Sequence, residues 1–161
     1  MPGVGKSTVA RRLGDRLSME AVDLDDVIVA GAGCDVPTIF AREGEAGFRS
    51  REAASLADLL DPDVPRRAVA CGGGVVVTRT NRELLARRAT TVLLDVDLDV
   101  LAARLGSEAD GRPLLAGDLA ERLAMLASER GDLYAEVADV RIDAGALGPD
   151  EVVDQIVEAL A

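Results

Sequence analysis

The chain has 161 residues with 18 basic and 29 acidic side chains, a formal charge of −11, and no histidine. That acidity argues against a nucleic-acid or anionic-membrane partner, and the lack of histidine excludes Ser–His, Cys–His and His–metal chemistry. The length fits one domain over 1–161, and 48% hydrophobic content with only 2% aromatics implies a core of Ala, Val and Leu. Two cysteines, Cys34 and Cys71, make neither a four-cysteine zinc site nor a disulfide framework. No apolar run reaches membrane-spanning length and the N-terminus does not read as a signal peptide, so the cytoplasm is the expected compartment.

In chain order, Pro2-Gly3-Val4-Gly5-Lys6-Ser7-Thr8 reads as the end of a phosphate-binding P-loop, G-x-x-x-x-G-K-[ST], and Lys6 is the only lysine in the sequence. Backbone amides of such a loop cradle phosphate oxygens, the lysine acts across the β- and γ-phosphates, and the Ser7 hydroxyl would ligate Mg²⁺. A helix over Ser7–Leu17 follows, with Val9, Leu13 and Leu17 on one face. Glu20-Ala21-Val22 is a short strand ending in Asp23-Leu24-Asp25-Asp26, and Asp26–Ala30 a short helix. Thr38–Arg42 and Ala46–Leu60 are two helices broken at Gly44. Ala68–Cys71 is a strand running into Gly72-Gly73-Gly74. Asn81–Arg88 is a helix, Thr91–Asp95 a buried strand and Leu98–Leu105 a helix. Residues 106–117 are polar and Gly-containing, a mobile loop. Asp118–Tyr134 is helical, Val140–Asp143 the last strand, and Pro149–Leu160 the last helix, with Pro149 near N1. Strands alternating with helices predict a parallel sheet covered on both faces, with ligands at the carboxyl ends of its strands. Lys6, Asp23, Asp25 and the three glycines should therefore share one mouth.

Four features carry further chemistry. Asp23 and Asp25 in an extended turn suit one carboxylate holding Mg²⁺ through water and the other taking a proton from a substrate hydroxyl; an N-cap pair explains them equally well. Arg49 and Glu52 are i,i+3 neighbours, so the carboxylate can orient the guanidinium as a fork for a substrate carboxylate; as an isolated pair, a solvated helix salt bridge is the commoner outcome. Gly72–Gly74 remove side chains where a ligand approaches the backbone, or else form a flexible connection. Arg112, in Arg112-Pro113-Leu114-Leu115, suits a lid arginine that stabilises charge on a transferring phosphoryl group, against a solvated loop charge.

The ordered set resembles shikimate kinase. It comprises G-x-G-K-S-T and Asp23-x-Asp25, then Ile39-Phe40 with Gly44-Glu45, Phe48-Arg49 and Glu52, then Gly72-Gly73-Gly74, Arg112-Pro113-Leu114-Leu115, and Arg130-x-x-x-Tyr134. The resemblance implies a P-loop NTPase α/β fold of the nucleoside-monophosphate-kinase type, a three-layer sandwich with parallel sheet order 2-3-1-4-5. It implies phosphorylation of shikimate by ATP to shikimate 3-phosphate on the chorismate route to aromatic amino acids, with Mg²⁺ and in a monomer. It also implies roles. Gly3, Val4, Gly5, Lys6, Ser7 and Thr8 hold ATP phosphates, with Ser7 on the metal and Asp23 near its water shell. Asp25 contacts the ring hydroxyls as candidate base. Arg49 and Arg130 grip the carboxylate, Glu52 holds Arg49, Gly72, Gly73 and Gly74 contact substrate by backbone, and Arg112 serves the lid at about 106–117.

Two departures accompany the resemblance. The loop after the last strand, Asp143-Ala144-Gly145-Ala146-Leu147, lacks the polar residue that family members often place near adenine. The glycine expected five residues before Gly5 would precede Met1, and the strand feeding the loop, central in the family's sheet, is missing from this chain. The expectation is that Met1 is an internal methionine and the start lies upstream. The rival readings are a gluconate or nucleoside-monophosphate kinase of the same fold, and a non-catalytic nucleotide-binding remnant.

Overall fold

The computed structural model describes residues 1–108 and 116–161. After an opening turn come α1 (Lys6–Leu17), β1 (Glu20–Asp23), α2 (Leu24–Ala32), α3 (Val36–Leu59) and β2 (Arg67–Ala70). A 3₁₀ turn at Val75–Val77, α4 (Arg79–Arg88), β3 (Val92–Asp95), α5 (Leu98–Glu108), α6 (Ala116–Val137), β4 (Val140–Asp143) and α7 (Pro149–Leu160) complete it. The strand–helix alternation matches the sequence pattern. Gly106 to Glu108 extend α5 and Ala116 opens α6, so the helices enter both ends of the expected loop; its centre, including Arg112, lies outside the described residues.

Among the described residues all strand pairing is parallel. Glu20–Asp23 of β1 align with Arg67–Ala70 of β2, and Val92–Asp95 of β3 with Val140–Asp143 of β4. Among the described residues these form two separate two-stranded sheets, not one continuous sheet. Between them lies a cavity of about 1020 Å³, walled by Ala68–Ala70 and Val92–Leu94 and by Ala10 and Leu13 of α1. Helix α1 packs against β1, β2 and α7. Small side chains allow it: Ala10, Ala68 and Ala70 are buried together.

Two larger apolar clusters flank this arrangement. Val9, Leu101, Leu123, Ile142, Val152 and Ile156 build one from α1, α5, α6, β4 and α7. Leu24, Ile28, Ile39, Phe48, Leu56 and Leu85 build the other from α2, α3 and α4. The expected Ala, Val and Leu core is thus supplemented by isoleucine and Phe48. Among the described residues no helix is long and apolar enough to cross a membrane.

The local signals are physical. Pro149 occupies the first turn of α7, where its missing N–H costs nothing, and the Gly148 N–H donates to Glu151 Oε2 at 2.7 Å. Gly44, at φ 68° and ψ −176°, breaks α3 into the two helical segments that the sequence suggests. The extended turn expected after β1 is corrected. Asp23 Oδ1 accepts the Asp25 N–H at 3.0 Å, and this cap starts α2 at Leu24, so Asp25 lies in the first helical turn.

Candidate active site

The opening turn brings the chain over the N-terminus of α1. Gly5 precedes the helix with φ 88°, a left-handed conformation that strains any residue with a side chain, and supplies no side-chain cap. The first amides of α1 therefore remain a site for an anion at the positive end of the helix dipole. Val4 is buried in the core and anchors the turn. Lys6 Nζ donates to Met1 O at 2.7 Å, so the ammonium folds back over the loop.

β1 delivers Asp23 to the same place. Ser7 Oγ donates to Asp23 Oδ2 at 2.5 Å while Oδ1 caps α2. Asp23 thus serves the helix cap and the P-loop hydroxyl together, one oxygen each. The helix-cap reading of this carboxylate is realised in geometry. Asp25, two residues on, lies against the glycine run instead: a side-chain carbon at Gly72 would stand 3.1 Å from Asp25 Oδ1.

The second half of α3 presents Phe48, Arg49 and Glu52. Arg49 Nη1 donates to Glu52 Oε1 and Oε2, each at 2.8 Å. Glu52 is only 1% exposed, which rules out a solvated surface pair. Arg49 Nε has no hydrogen-bond partner among the described residues; Glu45 Oε1 stands 3.6 Å away. Arg49 Cζ lies 5.2 Å from the Phe48 ring centroid, and Phe40 stacks on Phe48 with centroids 4.7 Å apart. A guanidinium held on one side by a buried carboxylate and backed by a ring is presented in a fixed orientation.

β2 leads into Cys71 and the glycine run. Tyr134 Oη, on α6, donates to Gly73 O at 2.7 Å. Arg130 lies one turn earlier on α6 and is half-buried.

The shikimate kinase family model matches residues 2–161. The chain belongs to the shikimate kinase family. It is 45% identical over 159 residues to the shikimate kinase of Halorhodospira halophila, covering 98% of this chain and 88% of that one. It is 40% identical over 161 residues to that of Rhodopirellula baltica, covering 98% and 85%. The solved shikimate kinase from Acinetobacter baumannii in complex with shikimate superposes with a TM-score of 0.85 at 32% identity, over 98% of this chain and 87% of that one.

The electrostatics of this shikimate kinase family member follow from partial burial. Burial pushes the Asp25 carboxyl above its ordinary value of 3.8, helped by Asp23 and opposed by Lys6. Burial also lowers the Lys6 ammonium from 10.5, while Asp25 and Asp23 hold it up. The two shifts show that Lys6, Asp23 and Asp25 share one weakly solvated field. Desolvation raises Glu52 too, against the hydrogen bond from Arg49. Cys71 is pushed up to about 12 by burial and by Glu52, so its thiol stays neutral and inert. Burial raises the Tyr134 phenol, and a hydrogen bond from Arg130 opposes it.

The structure thus brings together Lys6, Ser7, Asp23 and Asp25 on one side and Arg49, Glu52, Gly72, Gly73, Gly74 and Arg130 on the other. Arg112 lies outside the described residues. Sequence reasoning gave Tyr134 no function, though it stood in the Arg130-x-x-x-Tyr134 block. Its i+4 spacing from Arg130 on a helix was the available signal.

Mg²⁺ suits this donor set. A hydroxyl offers one hard ligand position and the carboxylate beside it can accept from a metal-bound water, which with phosphate oxygens and further water is how Mg²⁺ is commonly held. Among the described residues no cluster of three or more acidic or cysteine side chains offers an all-protein metal cage.

Proposed function

We propose that this chain transfers the γ-phosphoryl group of ATP to a hydroxyl of shikimate, giving ADP and shikimate 3-phosphate. The observation that carries the reading is the Arg49–Glu52 pair, with Arg49 Nη1 donating to both oxygens of the buried Glu52 at 2.8 Å and its guanidinium facing the same glycine run as Asp25. A molecule with one carboxylate and several hydroxyls matches a fixed guanidinium beside an electronegative base.

In this reading Gly3, Val4, Gly5, Lys6, Ser7 and Thr8 bind the ATP phosphates through amides, ammonium and hydroxyl. Ser7 would ligate Mg²⁺ and Asp23 would hold its water shell; the ion would supply charge neutralisation for the phosphates. Arg49 and Arg130 bind the shikimate carboxylate, and Glu52 keeps Arg49 oriented. Gly72, Gly73 and Gly74 line the substrate's path. Asp25 orients the attacking hydroxyl and accepts its proton. The new O–P bond forms as the bond from the γ-phosphorus to the bridging oxygen breaks, and ADP leaves with that electron pair. Arg112, outside the described residues, stabilises charge on the transferring group.

We further propose a monomer acting in the cytoplasm without nucleic-acid or membrane partners, which the formal charge of −11 supports. The family's sheet order 2-3-1-4-5 belongs to the same reading, with β1 and β2 standing as its strands 2 and 3 and β3 and β4 as its strands 4 and 5. Their parallel registers and the cavity between β2 and β3 support it.

A coupled ADP-release assay with shikimate, gluconate and nucleoside monophosphates tests the reading. Turnover confined to shikimate is the expected result. Turnover with gluconate or a nucleoside monophosphate instead, or with none of them, overturns it.

A further inference from the structure

We propose, building on the shikimate kinase reading, that Gly72–Gly74 form a seat for the protein's own functional side chains. In this seat Gly74 is the positioning residue for Arg49. The sequence suggests that the three glycines clear space for ligand. The packing supports a second task.

The backbone conformation does not demand glycine here. The described glycines with positive φ are Gly3, Gly5, Gly33 and Gly44, and Gly74 sits at φ −87° and ψ −10°, which alanine adopts without strain. Space demands it. A side-chain carbon at Gly74 would fall 2.7 Å from Arg49 Cζ and inside contact distance of both terminal guanidinium nitrogens. One at Gly73 would fall 3.0 Å from Tyr134 Oη, and one at Gly72 would fall 3.1 and 3.3 Å from the two Asp25 oxygens. Three consecutive positions thus each receive a different polar group from a different helix: Asp25 from α2, Tyr134 from α6 and Arg49 from α3. At Gly31, by contrast, an added carbon meets nothing within 4 Å.

Arg49 cannot step aside at no cost. Its Nη1 is bound to both oxygens of Glu52, which is 1% exposed, and Phe48 beneath it is 5% exposed. Moving the guanidinium off Gly74 breaks that pair or leaves a buried carboxylate unpaired. The Tyr134 hydrogen bond to Gly73 O latches α6 to the same run, so Arg130, one turn earlier, is referenced to it as well. Both arginines assigned to the substrate carboxylate are therefore positioned from one three-residue template. Carboxylate recognition should be set by the absence of a single methyl group at Gly74.

The test uses the full chain with Gly74→Ala, Gly72→Ala, Tyr134→Phe and the control Gly31→Ala. Gly74→Ala is expected to keep the wild-type circular dichroism but lower Tm, because the Arg49–Glu52 pair is disturbed. It should raise KM for shikimate about 10- to 100-fold, the worth of a misplaced charge-assisted contact, with KM for ATP within about twofold. Gly72→Ala should instead lower kcat with little change in KM, because its neighbour is Asp25. Tyr134→Phe should raise the shikimate KM less than Gly74→Ala does, and Gly31→Ala should change nothing. An unchanged shikimate KM in Gly74→Ala, or an equal loss in both KM values and kcat across the three site variants, overturns the seat. The Arg49 Nε–Hε NMR signal, assigned by its disappearance in Arg49→Lys, reports independently of turnover. It should shift in Gly74→Ala and stay in place in Gly31→Ala; no shift in Gly74→Ala overturns the seat. Wild-type protein inactive on shikimate together with a shifted Arg49 signal would sink the substrate assignment and keep the seat.

Discussion

Ser7 Oγ stands 2.5 Å from Asp23 Oδ2, joining the first turn of α1 to the end of β1. The same carboxylate caps α2 through its other oxygen at 3.0 Å, so one side chain fixes three elements around the loop. Removing its charge should disturb metal binding before it disturbs the fold. For Asp23→Asn the Mg²⁺ concentration at half-maximal rate is expected to rise about tenfold, the typical cost of losing a group behind a metal's first ligands. The amide retains an oxygen that can cap α2, so Tm should change little. Titrating activity against Mg²⁺ checks this; an unchanged Mg²⁺ dependence removes Asp23 from the metal's surroundings.

Lys6 is the only lysine in the chain, and burial lowers its pKa while two aspartates raise it. Lys6→Ala should cost at least about 10³-fold in phosphoryl transfer, within the range of a lost transition-state charge clamp, with circular dichroism unchanged. Lys6→Arg should remain poor, because a planar fork does not reproduce a point charge that donates to Met1 O. Near-wild-type turnover in either variant contradicts the P-loop role.

Much of this organisation is legible in the sequence alone. The G-K-S-T turn, the Gly44 break in α3 and the Pro149 start of α7 are local, and a local signal survives in the sequence because the same few residues both carry it and obey it. Partnerships across the chain are not legible in that way. Tyr134 and Gly73 are 61 residues apart, and nothing in either neighbourhood names the other. Gly74 was readable as bare backbone but not as the seat of Arg49, since that depends on how α3 packs over the end of β2. The burial that turned Arg49–Glu52 from a commonplace helix pair into a fixed fork is likewise a tertiary property. The helical placement of Asp25 was missed because Asp23 caps without any intervening loop. Pairing into β1–β2 and β3–β4 depends on contacts spanning more than forty residues, which periodicity cannot report.

The fork itself can be tested by truncation. Arg49→Ala and Arg130→Ala should each weaken shikimate binding by about 1.5–3 kcal/mol, the scale of a charge-assisted hydrogen bond. Nucleotide affinity should hold. Glu52→Gln keeps the shape but releases Arg49 from its buried anion, so its shikimate loss should be smaller than that of Arg49→Ala. Calorimetric titration with each ligand separates the outcomes. Lost ATP affinity with shikimate affinity kept would reverse the assignment.

Asp25 gives the pH dependence. Its carboxyl titrates above 3.8 because burial and Asp23 oppose ionisation more than Lys6 assists it, with Asp26 adding to the opposition and Arg49 relieving it. A base must be ionised, so the acid limb of kcat/KM should lie above 3.8. The alkaline limb should come below 10.5, where the lowered Lys6 loses its charge. Cys71, at about 12, titrates outside that window. Asp25→Asn checks the acid limb: it should cost about 10²–10⁴-fold in kcat and erase that limb. Stability should move the other way. A carboxyl whose folded pKa is raised favours the folded state below its unfolded value, and that advantage is lost as pH rises through the folded one. Asn mimics the neutral acid, so Asp25→Asn should raise Tm at pH 7 and converge with wild type below the ordinary carboxylate value. Rate and Tm profiles of the two proteins over the same pH range decide it: an acid limb that persists unchanged in Asp25→Asn would assign the proton acceptor elsewhere.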